Sequence, residues 1–399
     1  MQLVESTSLS RAAVHIQRIK EALERKWTSI QNASYETGLL GLALFYSYYA
    51  DFSGEQGYKE KAEEFFQKGV ASLNPMDFKR IYATDSLDGH LAHVGRFIGF
   101  CNTNGLLQLD ANGFLEDIDN SLSQLMTSKI AMGNFDPNCG ALAAGYYFLS
   151  RPRDLASING HLGTIVSGIT ATAFKDRDGD NYWEVPFLGK RVFLGISHGS
   201  ALIIAFLANV YERGIEEDTC KSTLYKAIRF LLKQRANYNK GLFPHYIGDP
   251  ENDRKQFSLC YGDLGIGYAL YRAASVLRDV DLLAYANEVL DDCLSYTKED
   301  KLTIDASIIY GASGLAATFD KLHRITRDPR FLQAADYWYA QIPSYAVHQN
   351  TFAGYQSRLL TNGGLWQINF GWGIIGIGIS LMRSLDRELP PIDPLLIIA

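Results

Sequence analysis

Two kinds of apolar pattern alternate along the 399-residue chain. In the first, charged segments carry apolar residues three and four positions apart, which predicts helices with one wet face. These are residues 11–26 (RAAVHIQRIKEALERK), 57–71, 113–127, 216–234, 281–297 and 329–341. In the second, a glycine opens a stretch that is apolar nearly all round, as a buried helix is. This phrase occurs seven times, anchored on Gly38, Gly89, Gly140, Gly199, Gly262, Gly311 and Gly373, at intervals of 49 to 63 residues. In four copies a second glycine follows at the third position, at Gly41, Gly265, Gly314 and Gly376. Self-similarity at such a period means units that bury each other's apolar faces. The alternation predicts an all-α protein, an α/α toroid of seven inner and seven outer helices. The fourth outer helix, at about 153–174, is inferred partly from the repeat. No linker interrupts the pattern, so residues 1–399 read as a single domain.

The glycines are expected to relieve crowding where inner helices begin close together, and to allow positive φ as loops turn into them. Converging helix N-termini would give a rim of unpaired N–H groups and positive dipole ends, the natural place for chemistry. Two loops stand out. Asp176 to Arg191 (DRDGDNYWEVPFLGKR) reads as a turn followed by a short strand pair, a small β-hairpin insert. Its acidic start resembles a calcium loop, but the glycine falls one position early for the EF-hand order. Pro244 to Phe257 (PHYIGDPENDRKQF) is a long polar loop, where substrate contacts are expected.

Composition narrows the class. A content of 47% hydrophobic and 21% charged residues suits a large globular core. The net charge of −6 is spread out and no Lys/Arg run occurs, which argues against nucleic acid as the main partner. No run of 18 apolar residues is present, and the N-terminal MQLVESTSLSRAAVHIQRIK lacks the layout of a signal peptide. Cys101, Cys139, Cys220, Cys260 and Cys293 are scattered and odd in number, which points to a reduced, cytoplasmic setting.

Reactive side chains sit at or beside four of the anchoring glycines: Asp136 before Gly140, His198 before Gly199, Cys260 and Tyr261 before Gly262, and Tyr310 before Gly311. Each has a plain reading. Asp136 could cap its helix, His198 could be a core contact, Cys139 and Cys260 could be small apolar fillers, and Tyr310 could fill space. Convergence of Asp, His, Cys and Tyr on one mouth is rarer than any one of these, and it marks a candidate site.

With SHG before an inner helix, CYG two phrases from the end, and a terminal GxxG helix followed by PPIDPLLII, the whole chain resembles the lanthionine synthetase C-like family. The resemblance implies a seven-plus-seven α/α toroid. It also implies a cyclase that joins a precursor peptide's cysteine thiol to a dehydrated Ser or Thr as a thioether ring. Family members hold zinc through the Cys of Cys-Tyr-Gly and both residues of a later Cys-His-Gly, with an Asp and a His as acid/base groups. By resemblance, Cys260 matches the first zinc ligand and Asp136 and His198 the acid/base pair. Cys-His-Gly is missing, and Ile309 and Tyr310 stand before Gly311 in its place. The family's Arg before Cys-Tyr-Gly is also missing. Gln256 stands there, with Arg254 nearby as a substrate-binding candidate beside Cys260 and Tyr261.

One thiolate does not make a three-ligand catalytic zinc site, so no cofactor is expected unless residues such as His90, His93 or His323 rebuild one. The chemistry survives without metal. A free thiol is a few per cent thiolate at neutral pH, a positioned base supplies about 10² to 10⁴ in rate, and holding the two peptide groups together supplies more. The resemblance supports this, since cyclase domains of fused kinase-cyclase synthetases also lack the ligands. In this reading His198 takes the thiol proton or protonates the enolate, Asp136 orients it, and Tyr310 donates to the developing oxyanion. The alternative is a non-catalytic subunit that binds the precursor peptide or a partner dehydratase or kinase. A glycosidase-like toroid would need a second carboxylate beside Asp136, for which Asp263 and Asp305 are the nearest candidates.

Overall fold

The computed structural model describes residues 2–73, 85–236, 241–249, 256–357 and 367–399. Fourteen α-helices occur among them: α1 Gln2–Lys26, α2 Leu39–Ser53, α3 Gly57–Ala71, α4 Leu87–Thr103, α5 Asn112–Ala131, α6 Ala141–Ser150, α7 Ala156–Thr172, α8 Ser200–Glu212, α9 Glu217–Leu232, α10 Asp263–Leu277, α11 Val280–Leu294, α12 Ala312–Thr326, α13 Pro329–Gln341 and α14 Ile374–Leu385. The chain forms two compact units. One comprises Met1–Phe78, Phe97–Asp110 and Thr297–Leu395, and the other Lys79–Arg96, Ala111–Tyr296 and Leu396–Ala399.

Both predicted helix classes are present, and burial separates them. In α8 (SALIIAFLANVYE) Ser200 through Ala208 and Val210 are all buried. In its outer partner α9 the buried residues are Cys220, Thr223, Leu224, Ala227, Ile228, Phe230 and Leu231, a stripe at three- and four-residue spacing. Each large apolar side chain sealed this way stabilises the fold by about 1.5–3 kcal/mol. The helix inferred at 153–174 is α7, shortened to Ala156–Thr172. Within the first unit α2 packs on α3, α12 on α13, and α1 on α14. Within the second, α10 packs on α11 and α8, and α8 on α9.

The starts of the inner helices correct the expected role of glycine. At four of them the loop folds back so that an early helical N–H donates to a carbonyl seven residues upstream. The bonds run from Leu39 to Asn32 (2.8 Å), Ala141 to Asn134 (2.9 Å), Ser200 to Phe193 (3.1 Å) and Ala312 to Asp305 (3.0 Å). These bonds satisfy donors that a helix start otherwise leaves open, so the rim is less rich in bare N–H groups than the sequence suggested. They also explain the glycine. A Cβ at Gly199 would lie 2.3 Å from the Phe193 backbone and one at Gly140 2.2 Å from the Asp136 nitrogen. At these two the crowding comes from the glycine's own loop, whereas a Cβ at Gly89 would lie 2.0 Å from the Asn138 carbonyl of the next phrase. Among these N-cap glycines only Gly262, at φ +100, occupies the left-handed region. At the second glycine a neighbour joins the loop: a Cβ at Gly265 would meet Ile196 at 2.5 Å, and one at Gly376 would meet the Phe370 carbonyl at 2.0 Å and Ile308 at 2.6 Å.

The hairpin insert is smaller and earlier than expected. Strands β1 Phe174–Lys175 and β2 Asn181–Tyr182 pair antiparallel on either side of the acidic turn. The turn's three carboxylates surround the Lys233 ammonium, at 2.9 Å for Asp176, 2.6 Å for Asp178 and 2.7 Å for Asp180. A lysine of this chain thus takes the place a cation would hold.

The second unit closes on its last four residues. Leu396 to Ala399 form a turn in which the Ala399 N–H donates to the Leu396 carbonyl at 3.3 Å. The four carbonyls accept from four different helices: Leu396 from Arg96 Nη2 of α4 (3.1 Å), Ile397 from Tyr146 Oη of α6 (3.0 Å), Ile398 from Tyr268 Oη of α10 (2.8 Å) and Ala399 from Asn209 Nδ2 of α8 (3.1 Å). Arg272 donates to Asn209 Oδ1 at 3.0 Å and so turns the amide's N–H toward the tail.

Candidate functional site

Asp136 and His198 meet at the starts of α6 and α8 within the second unit. His198 Nδ1 lies 2.8 Å from Asp136 Oδ2. The other Asp136 oxygen, Oδ1, accepts the N–H of Asn138 (2.8 Å) and of Cys139 (2.9 Å). One oxygen of Asp136 thus braces the turn ahead of α6, whose N-cap is Gly140, and the other meets the imidazole. Asn134 Oδ1 accepts the Asp136 N–H at 3.1 Å and fixes the turn from its other side. With Nδ1–H assigned to the carboxylate by this network, Nε2 is the basic nitrogen of His198.

Burial alone would raise the Asp136 carboxyl. The His198 hydrogen bond and charge and the two backbone N–H groups outweigh it and hold the carboxyl below its ordinary value. The Asp136 side chain is 1% exposed and that of His198 20%, so the pair presents only its imidazole. Phe187 and Phe193 stand edge-on to that ring, with centroids at 5.8 Å and 6.1 Å. Cys139 is not a nucleophile, since burial, with Asp136 alongside, pushes its thiol far up.

Cys260 and Tyr261 belong to the same unit. The starts of α8 and α10 lie against each other, because a Cβ on Gly195 would come within 3.1 Å of the Cys260 carbonyl. Cys260 itself is buried. The loop before α10 is ordered by Ser258, whose hydroxyl accepts the Tyr261 N–H at 3.1 Å. Tyr310 falls in the other unit, half-buried, with its N–H donated to Ser307 Oγ at 3.1 Å. Arg254 lies outside the described residues. The two carboxylates considered for a glycosidase are engaged in loop bonds. Asp263 accepts the N–H groups of Leu242 (2.6 Å) and Phe243 (3.1 Å), and Asp305 accepts the N–H and hydroxyl of Ser307.

Sequence reasoning marked the 244–257 loop but not the placement of His245 within it. Its ring lies tilted at 36° to that of Tyr261 with centroids 5.0 Å apart, and its Nδ1 lies 4.0 Å from Asp249 Oδ2. The i,i+4 spacing of His245 and Asp249 was a signal in the sequence, but the contact with Tyr261 was not.

The residues do not fit the zinc site of the resemblance. Ile309 has no lone pair to offer, and among the described residues no group of three His, Cys, Asp or Glu side chains could hold a metal ion. His90 and His93 are taken up elsewhere: His90 faces Asp85 at 3.4 Å, and burial, with Arg96 and His90 nearby, drives His93 well below its ordinary value. His323 Nδ1 is 2.9 Å from the Asp328 carbonyl oxygen, at the end of α12.

The model of the family described as "Lanthionine synthetase C-like protein" matches residues 29–397. The chain belongs to the lanthionine synthetase C-like family. Among solved structures it is similar to nisin cyclase, with a TM-score of 0.72 and 15% identity over 100% of this chain and 98% of that one. At that identity the likeness shows the fold, which is the family's helical toroid, all-α apart from the small hairpin. No curated protein sequence matches the chain. This family member lacks the Cys-His-Gly motif. No helix among the described residues is long and apolar enough to cross a membrane.

Proposed function

We propose that this LanC-like protein, read as one domain over residues 1–399, is a cyclase that forms lanthionine rings without zinc, adding cysteine thiols of a precursor peptide to dehydrated Ser or Thr. The observation that carries this reading is the 2.8 Å pairing of His198 with Asp136. A buried carboxylate held below its usual range keeps one imidazole tautomer in place and stabilises the imidazolium. That is what proton transfer to or from a thiol or an enolate requires. Cys260, Tyr261 and Arg254 would contact the peptide, and Tyr310 would donate to the enolate oxygen. The setting in this reading is the cytoplasm.

The test is ring formation on a dehydrated precursor peptide, followed by loss of alkylatable thiol, with chelator present throughout. Wild-type protein should consume thiols, and His198→Ala should lose about 10² to 10⁴ of the rate. Thiol loss at the same rate in both would refute the assignment.

Ile309 and Tyr310, standing where two ligands would be, favour a second reading. Here the protein is a docking subunit for the precursor or for a partner dehydratase or kinase. It would bind the peptide or the partner, and His198→Ala would leave a reconstituted system at full activity.

A further inference from the structure

Two phenylalanines stand exposed on the segment between α7 and α8, and they are used differently. Phe174, 47% exposed, stacks on Tyr182, which stacks in turn on Phe230 of α9, with centroids 5.5 Å and 5.0 Å apart. Phe187, 36% exposed, makes its ring contact among the described residues with His198, edge-on at 5.8 Å. Single apolar side chains on a surface are common. Phe187 is set apart by the imidazole it faces and by the arm that holds it there.

That arm is anchored at both ends of its course. Trp183 Nε1–H donates to the Ile169 carbonyl of α7 at 3.0 Å, and Arg229 Nε of α9 donates to Asp180 Oδ1 at 2.8 Å. Val185 N–H donates to the Arg191 carbonyl at 2.9 Å, and the Val185 carbonyl accepts the N–H groups of Leu188 and Lys190, both at 3.1 Å. Gly189 at φ +72 and Lys190 at φ +55 close this turn through the left-handed region, which a lysine seldom enters. The other ring at the imidazole, Phe193, is buried. It is fixed by a two-stranded ribbon in which Leu194 N–H donates to the His245 carbonyl and Ile247 N–H to the Val192 carbonyl, both at 3.0 Å. Phe193 is thus part of the frame, and Phe187 is the ring left open to a ligand.

We propose that Phe187 is a substrate-binding residue, its ring the apolar wall on which the dehydrated residue lies while His198 exchanges a proton with the peptide. This rests on the ring-forming reading above and names the contact that holds the alkene. A dehydrated Ser or Thr has lost its hydroxyl. Its side chain is a flat C=C conjugated with the carbonyl and has no hydrogen-bonding group. Polar contacts can therefore hold only its peptide groups, and the alkene itself needs an apolar surface beside the proton donor. An aromatic ring on a stiff turn supplies that surface with little side-chain entropy to lose.

The test uses the full-length protein and two synthetic peptides. One carries a dehydroalanine and a cysteine and can close a ring. The other has serine in place of the cysteine, carries a fluorophore and reports binding by anisotropy. Phe187→Ala is expected to lower kcat/KM for the first about 10- to 100-fold, mainly through KM, with the pH profile of kcat unchanged. It should weaken binding of the second by a similar factor. Phe187→Leu, which restores an apolar wall, should recover most of both losses, and Phe174→Ala should match wild type. Far-ultraviolet circular dichroism checks folding, and Phe187→Gln replaces the alanine variant if that one unfolds. Unchanged KM and affinity in a folded Phe187 variant would overturn the proposal and leave the cyclase reading intact. A fall in kcat with affinity unchanged would also overturn it, because the ring would then act on His198 and not on the peptide. Binding that depends on Phe187 with no ring formed by wild type would uphold the contact and remove the cyclase reading. No binding of the serine peptide by wild type would overturn the proposal outright.

Discussion

The starts of α8 and α12 share one backbone and differ in what they display. In both, the first helical N–H reaches a carbonyl seven residues upstream, and in both a Cβ on the anchoring glycine would meet its own loop at 2.3 Å. Before Gly199 stands His198, bonded to a buried carboxylate on the neighbouring start. Before Gly311 stand Ile309 and Tyr310, and Ile309 spends its N–H on the Gly371 carbonyl (3.0 Å) in backbone pairing with the next phrase. At this start the chain carries an isoleucine and a half-buried tyrosine in place of an imidazole. The comparison teaches that frame and chemistry are separable here. The glycine and the seven-residue bond build the start, and the residue just before the glycine is free to react or to pack.

Breaking that comparison should cost most at the reactive start. His198→Ala is expected to lower ring closure about 10² to 10⁴-fold, measured as thiol consumption, and also to lower the thermal midpoint, because it leaves the buried Asp136 carboxylate without its imidazole partner. Gly199→Ala and Gly311→Ala should behave alike on stability, since both place a Cβ inside a loop backbone. Each is expected to lose on the order of 3–5 kcal/mol by denaturant unfolding, and a mild loss at either would mean the loops relax. A smaller effect is expected at the second unit's closing turn. Tyr268→Phe leaves the buried Ile398 carbonyl without its donor and should cost about 1–3 kcal/mol in the same assay. Smallest is Gly99→Ala in α4, where an added methyl meets nothing within 4 Å. It should be neutral to about 1 kcal/mol stabilising.

The His198–Asp136 pair also sharpens the comparison through pH. The Asp136 carboxyl is depressed in the folded protein, so its contribution to stability is present above the unfolded carboxyl value, near 3.9, and is lost as pH falls through the lower folded value. Tyr310 offers no matching term in this acid range. Asp136→Asn should therefore flatten the acid limb of the stability profile, and Tyr310→Phe should leave it unchanged.

The helices were legible because their information is local. A 3.6-residue stripe such as that of α9, or an unbroken apolar stretch such as α8, reveals its burial within a dozen residues. The Asp136–His198 pair was legible through the repeat, which sets two neighbouring helix starts side by side although the residues are 62 apart in sequence. The remainder depends on contacts that no period carries. His245 meets Tyr261 only because a two-stranded ribbon and Asp263 fold its loop onto α10. Lys233 fills the acidic turn from 55 residues away. The carbonyls of Leu396–Ala399 reach donors 130 to 300 residues distant. The anchoring glycines showed in the sequence that room was scarce but not what filled it, because at Gly140, Gly199 and Gly311 the obstacle is the glycine's own loop rather than a neighbouring helix.

The most direct test of metal-free ring closure by a paired imidazole and carboxylate is a single time course on one dehydrated precursor peptide in the presence of chelator. It counts free thiols for wild-type protein and for His198→Ala. Steady thiol loss with wild type, nearly abolished in the variant, is the expected result. Equal loss in the two, or none with wild type until zinc is restored, would contradict it.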